Sequence, residues 1–157
     1  MKKGIIILLV ISILINIFLL YRFFAGSTAE LKEDTRTVIT ISNTNRDFVM
    51  AEMRTFLEAV QHIQEGLRTN DYSRIEKNAA NSGLSVAEHV PGELFRTLPV
   101  PFKTLGADTH TRFDKIAELA RQNAKKEQIN EELSGVLNNC TSCHRTYKLS
   151  AKEWQTQ

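Results

Sequence analysis

The stretch Cys140-Thr141-Ser142-Cys143-His144 limits the folds open to this chain more than any other. On a helix, residues at i, i+3 and i+4 share one face. Both thiols and the imidazole would therefore address one flat object. The spacing C-x-x-C-H is the attachment signature of a c-type haem. The two thiols add to the porphyrin vinyl groups as thioethers, and the neighbouring imidazole reaches the iron as an axial ligand. Competing readings ask for features that are missing. A thioredoxin-like Cys-x-x-Cys sits near a βαβ pattern, and no strand-rich segment is evident. A structural zinc site takes four ligands, and these are the only two cysteines in the sequence. A plain disulfide between Cys140 and Cys143, in a haem-free helical bundle, is the third reading.

The second constraint is an apolar run from Gly4 to Tyr21, broken only by Ser12 and Asn16. It is long enough to cross a bilayer as a helix and longer than the usual apolar core of a signal peptide. Lys2 and Lys3 precede it, which favours an N-terminus left in the cytoplasm. Residues 1–24 are thus expected to form an uncleaved anchor. A cleaved signal is the alternative, since Ser27-Thr28-Ala29 offers a small-residue site. Either way the remainder is exported, in keeping with haem attachment on the far side of the membrane. Elsewhere basic and acidic side chains nearly balance, with 20 Lys plus Arg against 18 Asp plus Glu in all. No basic patch points to nucleic acid.

Residues 25–44 read as a tether. Within it, Thr37 to Ser42 is strand-like but too short and isolated to build a sheet, so it is read as leading into the first helix. That helix, capped by Asn45, runs to about Thr69 with Val49, Met53, Phe56, Leu57, Val60, Ile63 and Leu67 as its stripe. Asp71 is a good N-cap for a shorter second helix marked by Tyr72, Ile75 and Ala79. Leu84 to Pro101 is irregular, with one helical turn expected around Leu94 and Phe95. A third helix spans about Pro101 to Gln122, and a fourth about Glu127 to Leu149, carrying Cys140, His144 and Tyr147 on its inner face. Four amphipathic helices without a strand pattern predict an all-α four-helix bundle over 45–157, with the haem taking part of its core.

A four-helix bundle with C-x-x-C-H on its last helix resembles the class II c-type cytochromes, the cytochrome c′ family. The likeness covers about Asp47 to Leu149. It is carried first by the motif near the C-terminus, where ordinary class I cytochromes c have theirs near the N-terminus. Met53-Arg54-Thr55-Phe56-Leu57, Leu105-Gly106 through His110, Phe113-Asp114 and Tyr147-Lys148 are softer points of similarity. The family implies a soluble periplasmic domain, from which an anchor departs. It also implies possible pairing of two copies through the first two helices.

His144 is the expected proximal iron ligand. The sixth ligand is expected from upstream, with Met50, Met53, His62, His89 and His110 as candidates. Met53 is preferred because it lies on the apolar stripe and, by the resemblance, where six-coordinate relatives place a methionine. Met50 is the spare, and a second histidine, His110 or His89, is the alternative. Tyr147 is expected to pack on or beside the porphyrin. Arg54, Arg145 and Lys148 are candidates to pair with the propionates, which need a cation or water. These readings predict one covalent haem c in a domain anchored in the inner membrane and facing the periplasm. Its expected role is electron transfer between membrane or periplasmic redox proteins, not catalysis. A five-coordinate protein binding nitric oxide or carbon monoxide is the alternative.

Overall fold

The structure is a computed structural model and describes residues 2–25 and 34–151. It divides into two units, Met1–Thr35 and Arg36–Gln157. The first holds α1 (Lys2–Ala25), whose window Lys3–Tyr21 is long and apolar enough to cross a membrane. A signal sequence would pass the same test. Its 24 residues reach about 36 Å at 1.5 Å each, against a hydrocarbon core of about 30 Å. Asn16, one of its two polar interruptions, donates its amide to Ser12 O at 2.7 Å. An amide bonded within its own helix is less costly in lipid than an open one. Ser27-Thr28-Ala29 lies outside the described residues.

The second unit is mostly helical, but it is not the wholly α-helical domain expected. It opens with a strand, β1 (Thr37–Ile41), and closes with another, β2 (Tyr147–Ala151). They pair in parallel, Thr37 opposite Tyr147 through Ile41 opposite Ala151. The β-branched run read as isolated is isolated only in sequence, because its partner lies about 110 residues on. A parallel pair needs a crossover, and here the crossover is the rest of the domain. Ile39 and Ile41 point inward and are buried, while Val38 and Thr40 face out. Thr37–Ile41, assigned from sequence to the tether, is therefore part of this unit.

Helix α2 (Asn43–Thr69) follows directly, and its cap is Ser42, not Asn45. Ser42 Oγ accepts the Asn45 N–H at 3.2 Å. With β1 ending at Ile41, serine takes the capping position, and Asn45 falls inside the first turn and is buried. Asn70 ends the helix in the left-handed region, φ 59°. Asp71 caps α3 (Tyr72–Ala80), accepting the Arg74 N–H at 2.9 Å. At the hairpin, a Cβ on Gly66 would lie 2.5 Å from Ile75 Cγ1 and 2.9 Å from Asp71 O. Glycine is what lets α3 close on α2.

Two short helices, α4 (Leu84–Ala87) and α5 (Gly92–Thr97), occupy the irregular stretch. Leu94 buries itself while Phe95 stays out, with Lys103 Nζ 4.6 Å above its ring. Then come α6 (Val100–Arg121), with Pro101 in its first turn, and α7 (Lys126–Thr146). α3 packs on α2 and α6, and α6 packs on α7. Side chains of all four, among them Phe56, Ile63, Ile75, Phe113 and Leu133, form the main apolar core. α2 and α7 share this core without so close a backbone approach. A second cluster joins Ile39 and Ile41 to Val49, Leu94 and Leu98, and Met53 packs against both clusters.

α7 stops at Thr146, three residues short of the expected Leu149. Tyr147 is already extended, φ −123° and ψ 150°. Pairing with β1 outcompetes another helical turn.

Candidate functional site

Two recesses open beside the cysteine motif and share Met53, Phe102, Cys143 and His144 in their walls. The first, of about 60 Å³, is completed by Cys140 and Asn139 from α7, Glu52 and Phe56 from α2, and Leu105, Gly106, Thr109 and His110 from α6. The second, of about 120 Å³, adds Val49, Met50, Tyr147 and Leu149. The helical spacing thus brings the two thiols and the imidazole to one place, and the packing of α2 brings Met53 to the same recesses. Both thiols are free and half-buried. Burial pushes both above the ordinary thiol range, and for Cys143 the neighbouring Cys140 adds to the shift. Such thiols are poor thiolate nucleophiles, which weighs against disulfide-exchange chemistry. His144 is exposed, and Arg36 Nη1 donates to its backbone carbonyl at 3.4 Å.

Tyr147 lines the second recess, but not by continuing the helix as predicted. It is the first residue of β2, and its ring meets Phe102 edge-on at 5.4 Å, 75° between planes. Met50 borders the same recess at the surface.

His110 is in the wall of the first recess, with a polar atom near each ring nitrogen. Nδ1 is 2.8 Å from Ser82 O, and Nε2 is 3.4 Å from Glu52 Oε1. Burial is the largest influence on it and favours the neutral ring. The Glu52 carboxylate and the Ser82 and Gly83 backbone outweigh that together, so its pKa stands above the usual histidine value. The ring also meets Phe56 edge-on at 5.0 Å. His110 is thus a core histidine bonded to the Ser82 carbonyl, with the buried Glu52 Oε1 at ion-pair distance but without a hydrogen-bond partner. His89 is exposed, with Nδ1 3.2 Å from Ser85 O. His62 lies in a polar groove between α2 and α3. Neither reaches the motif. Arg54, Arg145 and Lys148 line neither recess.

Several wall residues carried no signal when the sequence was read for ligands. Glu52 and Asn139 are polar residues one position before Met53 and Cys140. Their neighbours draw the eye, yet a helix presents adjoining residues to one opening when it is wide. Gly106 faces open space, with nothing within 4 Å of where a Cβ would stand.

The donor set suits a haem: two thiols, an imidazole and a thioether line one largely apolar recess, with a glycine in its wall. A porphyrin is larger than either recess, since sites for ligands of that class run to about 300–1,000 Å³. It would have to occupy the loosely closed α2–α7 side. Among the described residues no cluster of three or more His, Cys, Asp or Glu could hold a bare metal ion.

Comparison with protein-family models, with curated proteins and with solved structures finds no match.

Proposed function

We propose that this chain is a membrane-anchored c-type cytochrome with a four-helix-bundle domain, carrying one covalent haem and passing single electrons. The observation that carries the reading is the convergence of Cys140, Cys143 and His144 from α7 with Met53 from α2 on one apolar recess. Haem supplies one-electron exchange at its iron, and His/Met ligation raises the potential at which that happens. The chain's own residues do the rest. Cys140 and Cys143 would hold the ring, and His144 and Met53 would be the residues to ligate the iron. Phe56, Phe102, Leu105 and Tyr147 would keep water from the bound group. The resemblance to cytochrome c′ proteins, α1 as anchor, and an exported domain between cytoplasmic membrane and periplasmic redox partners belong to the same proposal. Tethering raises the effective concentration of a carrier near membrane-bound partners without any new contact.

The test is expression of the full chain with and without a c-type maturation system, followed by denaturing electrophoresis with haem staining and absorption spectroscopy. Covalently retained haem that disappears in Cys140→Ser/Cys143→Ser is expected. Polypeptide of unmodified mass despite active maturation would sink the proposal.

A second reading keeps the haem but leaves Met53 as packing. The open space over Gly106 favours it, since a small diatomic ligand could then approach the iron. A high-spin ferrous form that takes up carbon monoxide readily would select this reading over the carrier.

A further inference from the structure

Between α6 and α7 runs a seam of polar side chains to which the haem reading gives no part. Asp108, Arg112 and Lys115 lie at i, i+4 and i+7 on α6, facing Glu132, Gly135 and Asn139 at i, i+3 and i+7 on α7. Lys115 Nζ is 2.5 Å from Glu132 Oε1, and Arg112 Nη1 is 3.0 Å from Glu132 Oε2. Arg112 Nε donates to Asp108 Oδ2 at 2.8 Å. The same oxygen accepts from Asn139 Nδ2 at 2.6 Å, and that amide also lies 3.3 Å from Thr109 Oγ1. A Cβ on Gly135 would stand 2.3 Å from Arg112 Nη1, so glycine leaves room for the guanidinium where it meets Glu132. The bond from Asn139, then that from Arg112, holds the Asp108 carboxyl below its usual range.

The seam ends at the motif. Ile129, Leu133 and Val136 grip the first half of α7 in the core. After them the apolar hold thins: Leu137 is 44% exposed and His144 is exposed, while half-buried Cys140 still packs against the main core. Asn139, 7% exposed, is the last buried side chain of α7, and Cys140 is next. Buried polar pairs contribute little net stability, and fixing the register between elements is their best-attested use.

We infer that Asn139 is a positioning residue for the cysteine motif. Its bonds to Asp108 and Thr109 set the rotation of α7 where core packing thins, and so aim Cys140, Cys143 and His144 into the recess that Met53 lines. The functional meaning of this aim rests on the haem reading; the geometry does not.

The test compares full-length haem-loaded protein in membranes for wild type, Asn139→Leu, the swap Asp108→Asn/Asn139→Asp, and Ile129→Val. The swap exchanges donor and acceptor and leaves an amide oxygen for Arg112 Nε. Asn139→Leu is expected to shift the reduction potential and mix high-spin with low-spin absorption, and the swap to restore both. Ile129→Val trims the same helix at its far end and controls for lost stability; it should lower Tm and leave the spectrum alone. A wild-type spectrum in Asn139→Leu, or an equal change in Ile129→Val, would overturn the inference. If the wild-type chain carries no haem, the proposed function fails separately. Thiol labelling then decides: Asn139→Leu should speed modification of Cys140 relative to Cys143, and an unchanged ratio removes the role.

Discussion

Met53 touches both apolar clusters and borders both recesses, so one substitution can separate its packing from its chemistry. Met53→Leu keeps the volume and should cost less than about 1.5 kcal/mol of stability. It removes the thioether, so the haem-loaded protein is expected to turn from low-spin to high-spin. Absorption and Tm on one sample read both effects, and an unaltered spectrum would reduce Met53 to core filling. His110 makes a different prediction. Its pKa is raised in the folded protein, so its contribution to stability is complete below about pH 6.5, the unfolded value. It is lost as pH rises through the higher folded value, because the unfolded chain gives up the proton first. Chemical denaturation across that range should show this loss in wild type and a flatter profile in His110→Gln. Parallel profiles would mean that Glu52 and the Ser82 carbonyl do not hold the proton.

At the α2–α3 hairpin the elements meet closely, with glycine at the contact. Gly66→Ala places a methyl against Ile75 and against backbone at Asp71. Overpacking of this kind should cost about 1–3 kcal/mol, read as a lower midpoint in urea with m unchanged. A midpoint equal to wild type would mean the hairpin gives way at no cost. In the sheet, Ile39→Ala removes a buried side chain from the smaller cluster and should cost about 2–5 kcal/mol. The three long helices of the domain were legible because each carries an apolar stripe of period 3.6 over several turns, and periodicity is local. Asp71 as a cap was legible for the same reason. The two strands were not, because each is five residues long and pairing at such a separation leaves no local trace. Tyr147 shows the cost of that: three residues after His144 reads as the same helix face, yet it reaches the recess as a strand residue. Asn139 was missed because a polar residue beside a cysteine motif reads as surface until its partners on α6 are known.

At the scale of the whole molecule, the structure divides between Thr35 and Arg36, whereas the sequence suggests a tether over 25–44 and a domain from residue 45. None of the membrane-length window of α1 is buried. A chain beginning at Arg36 should therefore keep its helical circular dichroism and its cooperative melt and, if α1 is the anchor proposed above, move from the membrane to the soluble fraction. Loss of the cooperative melt would mean that the domain leans on its N-terminal segment. The parallel pairing of Thr37–Ile41 with Tyr147–Ala151 has a consequence for biosynthesis. The sequence TVITI is uncharged, rich in β-branched residues and among the first parts of the domain to leave the ribosome, whereas its mate is among the last. Until translation finishes, or permanently in a product cut short before Tyr147, that ribbon has both edges bare, the kind of segment that recruits neighbouring chains into aggregates.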